Sequence, residues 1–197
     1  MSSVVPDDSQ YYTYADLLEW DDTIRAEIID GELYMMAPPA RVHQDIVREI
    51  FTPISVFLKG KSCKVYPAPF GVRLFPKDDL SDNTLVEPDI VVVCDPSKLD
   101  DRGCNGAPDL VVEILSPSNR FRDKLIKFNK YREAGVREYW VVDPVEQFVD
   151  VHILDAGRYI ITMYGPEDEV PISVLPGCLI NLRDVFSADR PAASPLP

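Results

Sequence analysis

Three side chains combine residue type and setting in a way that could do hydrolytic chemistry on a phosphate: Asp89, Glu113 and Lys127. Glu113 lies inside "PDLVVEILS", a run otherwise rich in Val, Ile and Leu that reads as a buried strand. An ionised carboxylate in such a strand is costly unless a cation pairs with it or binds it. Asp89 opens a second apolar run, "PDIVVVCD". If the two strands are neighbours, one carboxylate from each meets at one end of a sheet. Two hard oxygen donors, completed by waters, suit Mg²⁺. Asp109 also follows a strand-opening proline, and a turn or cap role is expected of it. Asp123, Lys127 and Tyr131 recur every four residues and so share one helix face. Two readings stay open there. Lys127 is either the partner of a surface Asp123, or it points at the carboxylates and holds a water or phosphate. Glu113 is likewise either ion-paired to a helix Lys or Arg, or a metal ligand.

The elements that must carry these residues can be outlined from periodicity. "TYADLLEW" reads as a short helix with Thr13 as N-cap, and "AEIIDGELYMM" as two strands joined at Asp30-Gly31. "RVHQDIVREIFTPISVFLKG" has Ile46, Ile50, Ile54 and Phe57 at helical spacing, with Pro53 expected to kink or divide the helix and Gly60 to end it. "CKVYPAPFGVRLF" gives two strand pieces, and the runs that begin at Asp89 and Asp109 are apolar on both faces, as in a covered sheet. "NRFRDKLIKFNKYREAG" is an amphipathic helix with Leu125, Phe128 and Tyr131 inward and Gly135 past its end. "EYWVVDP" returns as a strand whose Tyr and Trp belong to the core. "QFVDVHIL" and "RYIITMY" form a hairpin, and "INLRDVF" is a closing helical turn. The order predicts an α/β or α+β fold: a mixed sheet flanked by helices, with additional hairpins. Residues 11–186 read as one domain, between a flexible N-terminus over residues 1–10 and a disordered tail over 187–197.

The 197 residues carry a net charge of −13, which argues against a general polyanion binder. The charge is unevenly placed: Ser118 to Glu138 holds seven Lys/Arg against three Asp/Glu. The acidic runs "PDDSQ", "EWDD", "KDDLSD" and "GPEDEV" read as solvated loops. No apolar stretch approaches a membrane span and no signal peptide is seen, so a cytoplasmic protein is expected. Cys63, Cys94, Cys104 and Cys178 have no C-x-x-C spacing, and reduced thiols are the plain reading.

"EPDIVVV" followed by "GAPDLVVEILSPSNRFRDKLIKFNKYREAGVREYWVVDP" resembles the Uma-two family of restriction-endonuclease-like proteins, and "RAEIIDGELYMMAPPARVHQDIV" resembles that family's entrance. The likeness covers about residues 11–186. It implies the PD-(D/E)xK nuclease fold. It also implies Asp89 and Glu113 as metal ligands, and Lys127 as a catalytic lysine moved onto the next helix. Leu115 stands where the superfamily's simplest pattern has that lysine. Glu27, His43, Asp123 and Tyr131 are carried over as supporting residues.

On this resemblance the expected activity is a Mg²⁺-dependent endonuclease acting on DNA, with Mn²⁺ able to substitute. Arg120, Arg122, Lys124 and Lys130 are candidate phosphate contacts. A homodimer would present two sites to two strands, though no interface signature is read here. Two rivals remain. One is a non-catalytic regulatory or interaction module on a nuclease fold, which the acidic charge favours. The other is a metal-free hydrolase using paired carboxylates as acid and base.

Overall fold

The computed structural model describes residues 10–20, 24–116 and 122–187, with the main chain only for 122–124. The expected flexible ends, apart from residues 10 and 187, lie outside the described residues, as does Arg120. In chain order the elements are α1 (Tyr14–Leu17), β1 (Ala26–Ile29), β2 (Glu32–Met35), α2 (Arg41–Leu58), β3 (Lys64–Pro67), β4 (Gly71–Arg73), β5 (Leu85–Val86), β6 (Ile90–Val93), β7 (Leu99–Asp100), β8 (Gly103–Asn105) and β9 (Leu110–Ile114). A π-helical segment (Arg122–Lys127) then leads into α3 (Phe128–Ala134), β10 (Glu138–Asp143), β11 (Phe148–Asp155), β12 (Arg158–Tyr164), β13 (Glu169–Pro171), β14 (Leu179–Asn181) and α4 (Leu182–Ser187).

The main sheet has the order β12-β11-β10-β9-β6-β3. The strands β6 and β9 are antiparallel neighbours, so the condition set for Asp89 and Glu113 to approach is met, and β9 runs parallel to β10. Alternation along these strands supplies two cores. Ile90, Val92, Leu110, Val112 and Trp140 face α2 and α4, while Val91, Val93, Val111, Tyr139 and Val141 face the other way, toward Tyr131 of α3. Burying each such aliphatic side chain contributes about 1.5–3 kcal/mol.

A second six-stranded sheet, in the order β2-β1-β5-β4-β8-β7, stands beside the first, where the sequence reading had one mixed sheet with hairpins. Its strands are two to four residues long; β1, β2 and β4 fall in stretches that read as strands, while β5, β7 and β8 are too short for periodicity to show. The Asp30-Gly31 turn is as expected: both residues have positive φ, 53° and 84°, the geometry of a tight hairpin between β1 and β2. No helix among the described residues is long and apolar enough to cross a membrane.

Four sequence readings need correction. Pro53 does not divide α2, which runs unbroken from Arg41 to Leu58. Ile46 and Ile50 before the proline, and Ile54 and Leu58 after it, are buried in one core, and that packing outweighs one missing backbone hydrogen bond. Leu125 is not inward but 50% exposed. The inward face is that of Lys127 and the buried Tyr131, four residues apart, and Leu125 lies off it. The acidic run "KDDLSD" is not wholly a solvated loop. Asp82 is buried and accepts from Arg73 Nε at 2.8 Å, and this hydrogen bond raises the Arg73 pKa.

The fourth concerns the cysteines. Cys63 and Cys94, just beyond the β3–β6 pairing of Lys64 with Val93, form a disulfide, while Cys104 and Cys178 are free and buried. Burial pushes the Cys104 thiol up to about 11, and the Cys178 thiol is raised by burial as well. Thiolate is the reactive form. Ellman's reagent is therefore expected to find almost no fast thiol in the native protein. Of the four cysteines, two should react in denaturant without reductant and all four after reduction. Four before reduction would contradict the bridge.

Candidate active site

Glu113 is the fourth residue of β9 and faces the Tyr131 side of the sheet, alongside Val111. It is only 2% exposed, and its carboxylate is met by two donors. Lys127 Nζ lies 2.9 Å from Glu113 Oε1, and the Tyr131 hydroxyl donates to the same oxygen at 2.6 Å. Lys127 and Tyr131 thus share a helix face, as their spacing requires, and that face is turned to the carboxylate. Asp123 belongs to the same stretch, but its side chain lies outside the described residues, as do those of Arg122 and Lys124.

Lys127 also reaches Glu27 of β1, with Nζ 2.7 Å from Oε1. The same Glu27 oxygen accepts from the Glu87 backbone N–H at 3.0 Å. Glu27 comes from the second sheet and Glu113 from the first, so one ammonium, itself 2% exposed, ties both sheets to the helix. The Tyr131 hydroxyl keeps its proton. Burial, and then the charges of Glu113 and Glu27, hold its pKa well above the usual phenol value. It acts as a fixed donor. Tyr131→Phe is expected to cost about 1.5–3 kcal/mol, since it removes a hydrogen bond to a charged group. Urea denaturation followed by circular dichroism checks this, and a change under about 0.5 kcal/mol, the low end for even a neutral hydrogen bond, would contradict it.

Asp89 immediately precedes β6. The β6–β9 register pairs Ile90 with Val112 and Val91 with Val111, so one further step sets Asp89 opposite Glu113. Asp89 Oδ2 accepts from the Ile114 backbone N–H at 2.7 Å and lies 3.1 Å from His43 Nε2, near the start of α2. His43 and Asp89 border a cleft of about 460 Å³ that Met35, Leu115, Ser116 and Val145 also line. Leu115 is buried at its edge, with its N–H bonded to the Val142 carbonyl at 2.9 Å. Asp109 ties distant segments rather than capping its own turn as expected: it accepts from the Cys94 N–H at 2.7 Å and from Arg137 at 2.9 Å.

The donor set is one of hard oxygens. Among the described residues no three His, Cys, Asp or Glu side chains cluster closely enough to hold a metal ion by themselves. The carboxylates of Asp89 and Glu113 are the donor type that Mg²⁺ takes, with waters and substrate phosphates completing its shell. They do not fit a closed protein cage.

Among the candidate phosphate contacts, Lys130 is held by Asp30 at 2.7 Å. Arg25 escaped the sequence reading: it lines the cleft and pairs with Glu87 at 2.7 Å. Its only sequence signal is its place just before "AEIIDG", which by itself says nothing about a cleft.

Comparison with known proteins agrees with this architecture. The chain is 26% identical over 159 residues to the uncharacterised protein slr1290 of Synechocystis sp., covering 79% of this chain and 81% of that one. It superposes on the crystal structure of "a putative nuclease belonging to DUF820" from Anabaena variabilis with a TM-score of 0.70 at 22% identity, covering 90% and 98% of the two chains. Residues 12–183 match the Uma2 (Uma-two) family, whose description is "putative restriction endonuclease". With that match spanning most of its length, the chain belongs to the Uma2 family and shares the mixed-sheet fold of the Anabaena protein.

Proposed function

We propose that this protein is a Mg²⁺-dependent endonuclease that hydrolyses DNA phosphodiester bonds, with Asp89 and Glu113 as metal ligands and Lys127 as the catalytic cation. One observation carries the reading: an inward lysine on the carboxylate of one central strand, with a second carboxylate opposite it on the neighbouring strand. Membership of a family of restriction-endonuclease type supports nucleic acid as the substrate.

Asp89 and Glu113 would hold a divalent cation, which would supply Lewis acidity toward a phosphoryl oxygen and a bound water. The chain's own groups do the rest. Ile114 N–H and His43 fix the Asp89 carboxylate, and Tyr131 O–H fixes Glu113. Lys127 sets a positive charge where negative charge grows in the reaction, in a buried setting where such a charge acts strongly. The cleft beside Asp89 receives the strand.

Calorimetric titration with Mn²⁺ tests the ligand assignment. The parent protein is expected to bind, and Glu113→Gln to lose binding while its circular dichroism is unchanged. Unchanged binding in the variant would remove Glu113 from the metal site. No binding by the parent would leave Glu27, Lys127 and Glu113 as a structural clasp, a role their ion pairs also fit.

A further inference from the structure

The main sheet ends in two edges of opposite character. β3 is a four-residue strand that begins at Lys64 and ends at Pro67, and the Cys63–Cys94 bridge ties it to β6. Short length, a lysine and a proline are the ordinary means of stopping an edge from pairing with another chain. β12 has none of these protections. It is seven residues long, and from Tyr159 to Tyr164 it contains no charge, proline or glycine. Ile160 is 57%, Ile161 55% and Met163 67% exposed, so both faces of this edge present apolar side chains to solvent. Such an edge is a template for another strand.

We propose that β12 is a homodimer interface. Two copies pair β12 antiparallel about a two-fold axis near Ile161, joining two six-stranded sheets into one continuous sheet. The strand is complementary to itself in this register. Tyr159 falls opposite Met163, Ile160 opposite Thr162, and Arg158 opposite Tyr164. Arg158 of each copy then approaches the exposed acidic Asp168-Glu169 stretch that follows the other copy's strand, so the one cation of the edge meets anions at both ends of the seam. A chain of net charge −13 repels its copies, and this strand carries no acidic residue to add to that repulsion at the seam. A closed two-fold pairing also uses up the edge, whereas an open arrangement would propagate.

The geometry has a consequence that rests on the nuclease reading. A two-fold of this kind stands perpendicular to the sheet, so the Lys127 faces of both copies lie on the same side. β9 is three strands in from the edge, and seven interstrand spacings separate the two β9 strands. At roughly 4.8 Å each this is about 34 Å before twist, close to one turn of B-DNA.

Sedimentation velocity across micromolar concentrations tests the assembly without reference to catalysis. The parent is expected to sediment at twice the 22.2 kDa chain mass. Ile161→Lys is expected to be a monomer with unchanged circular dichroism. Ile161→Cys is expected to form a covalent dimer on mild oxidation, because only the two-fold register sets residue 161 beside itself. A monomeric parent overturns the proposal. So does a dimer that survives Ile161→Lys, or an Ile161→Cys protein that never cross-links. If Ile161→Lys fails to fold, the cross-link decides.

Discussion

Lys127→Met is expected to destabilise the protein by about 3–5 kcal/mol, the scale for removing one partner from a buried ion pair. Methionine is close to lysine in length and volume, so packing changes little and the loss is electrostatic. The ammonium is held 2.7 Å from Glu27 Oε1 and 2.9 Å from Glu113 Oε1. Without it two buried carboxylates remain, each costly to keep ionised away from water. The two sheets also lose the cation that joins them. Equilibrium urea denaturation measures the effect as a lower midpoint with an unchanged slope. A double variant, Lys127→Met with Glu27→Gln, is expected to recover part of the loss, because one of the stranded charges is gone. A cost below about 1 kcal/mol, the scale of an exposed pair, would contradict the clasp.

Asp89→Asn is expected to do the opposite: to spare the fold and remove the activity. The asparagine side chain keeps the shape, and its amide oxygen can still accept the Ile114 N–H that Asp89 accepts at 2.7 Å. The negative charge is lost, and with it the ligand that the proposed cation needs. DNA cleavage is expected to fall by at least about 10²–10³-fold, the scale for deleting one group that stabilises transition-state charge. The fall should appear in kcat, with the KM for DNA changing little, since the carboxylate does not hold the remote parts of the strand. Single-turnover cleavage at saturating enzyme separates the two. A variant with parental kcat would exclude Asp89 from the chemistry.

The two variants differ because the sites differ, and the sequence shows that difference only in part. β6 and β9 are legible because each is an apolar run opened by Pro-Asp, and neighbouring runs of this kind belong together in a covered sheet. Glu113 announces itself as the one carboxylate in such a run. The inward turn of Lys127 is not legible. Its spacing from Asp123 suits a surface pair equally well, and spacing alone does not say which way the shared face turns. Glu27 is a similar case. It lies in a strand that the Asp30-Gly31 hairpin signal reveals, but nothing local says that this strand joins a second sheet, so its bond to Lys127 across the two sheets is a tertiary fact. Pro53 and Leu125 fail for related reasons. Local rules allow a break at Pro53 and give Leu125 a buried face, and packing on the main sheet overrides the first while the inward face of Lys127 and Tyr131 displaces the second.

The most direct test of the catalytic reading is cleavage of supercoiled plasmid with Mg²⁺ or Mn²⁺ by the parent protein, Asp89→Asn and Lys127→Ala, each first shown to be folded. The expected result is nicked or linear DNA with the parent protein alone, abolished by EDTA and absent with both variants. Equal cleavage by all three proteins would contradict the assignment of Asp89 and Lys127 to the active site.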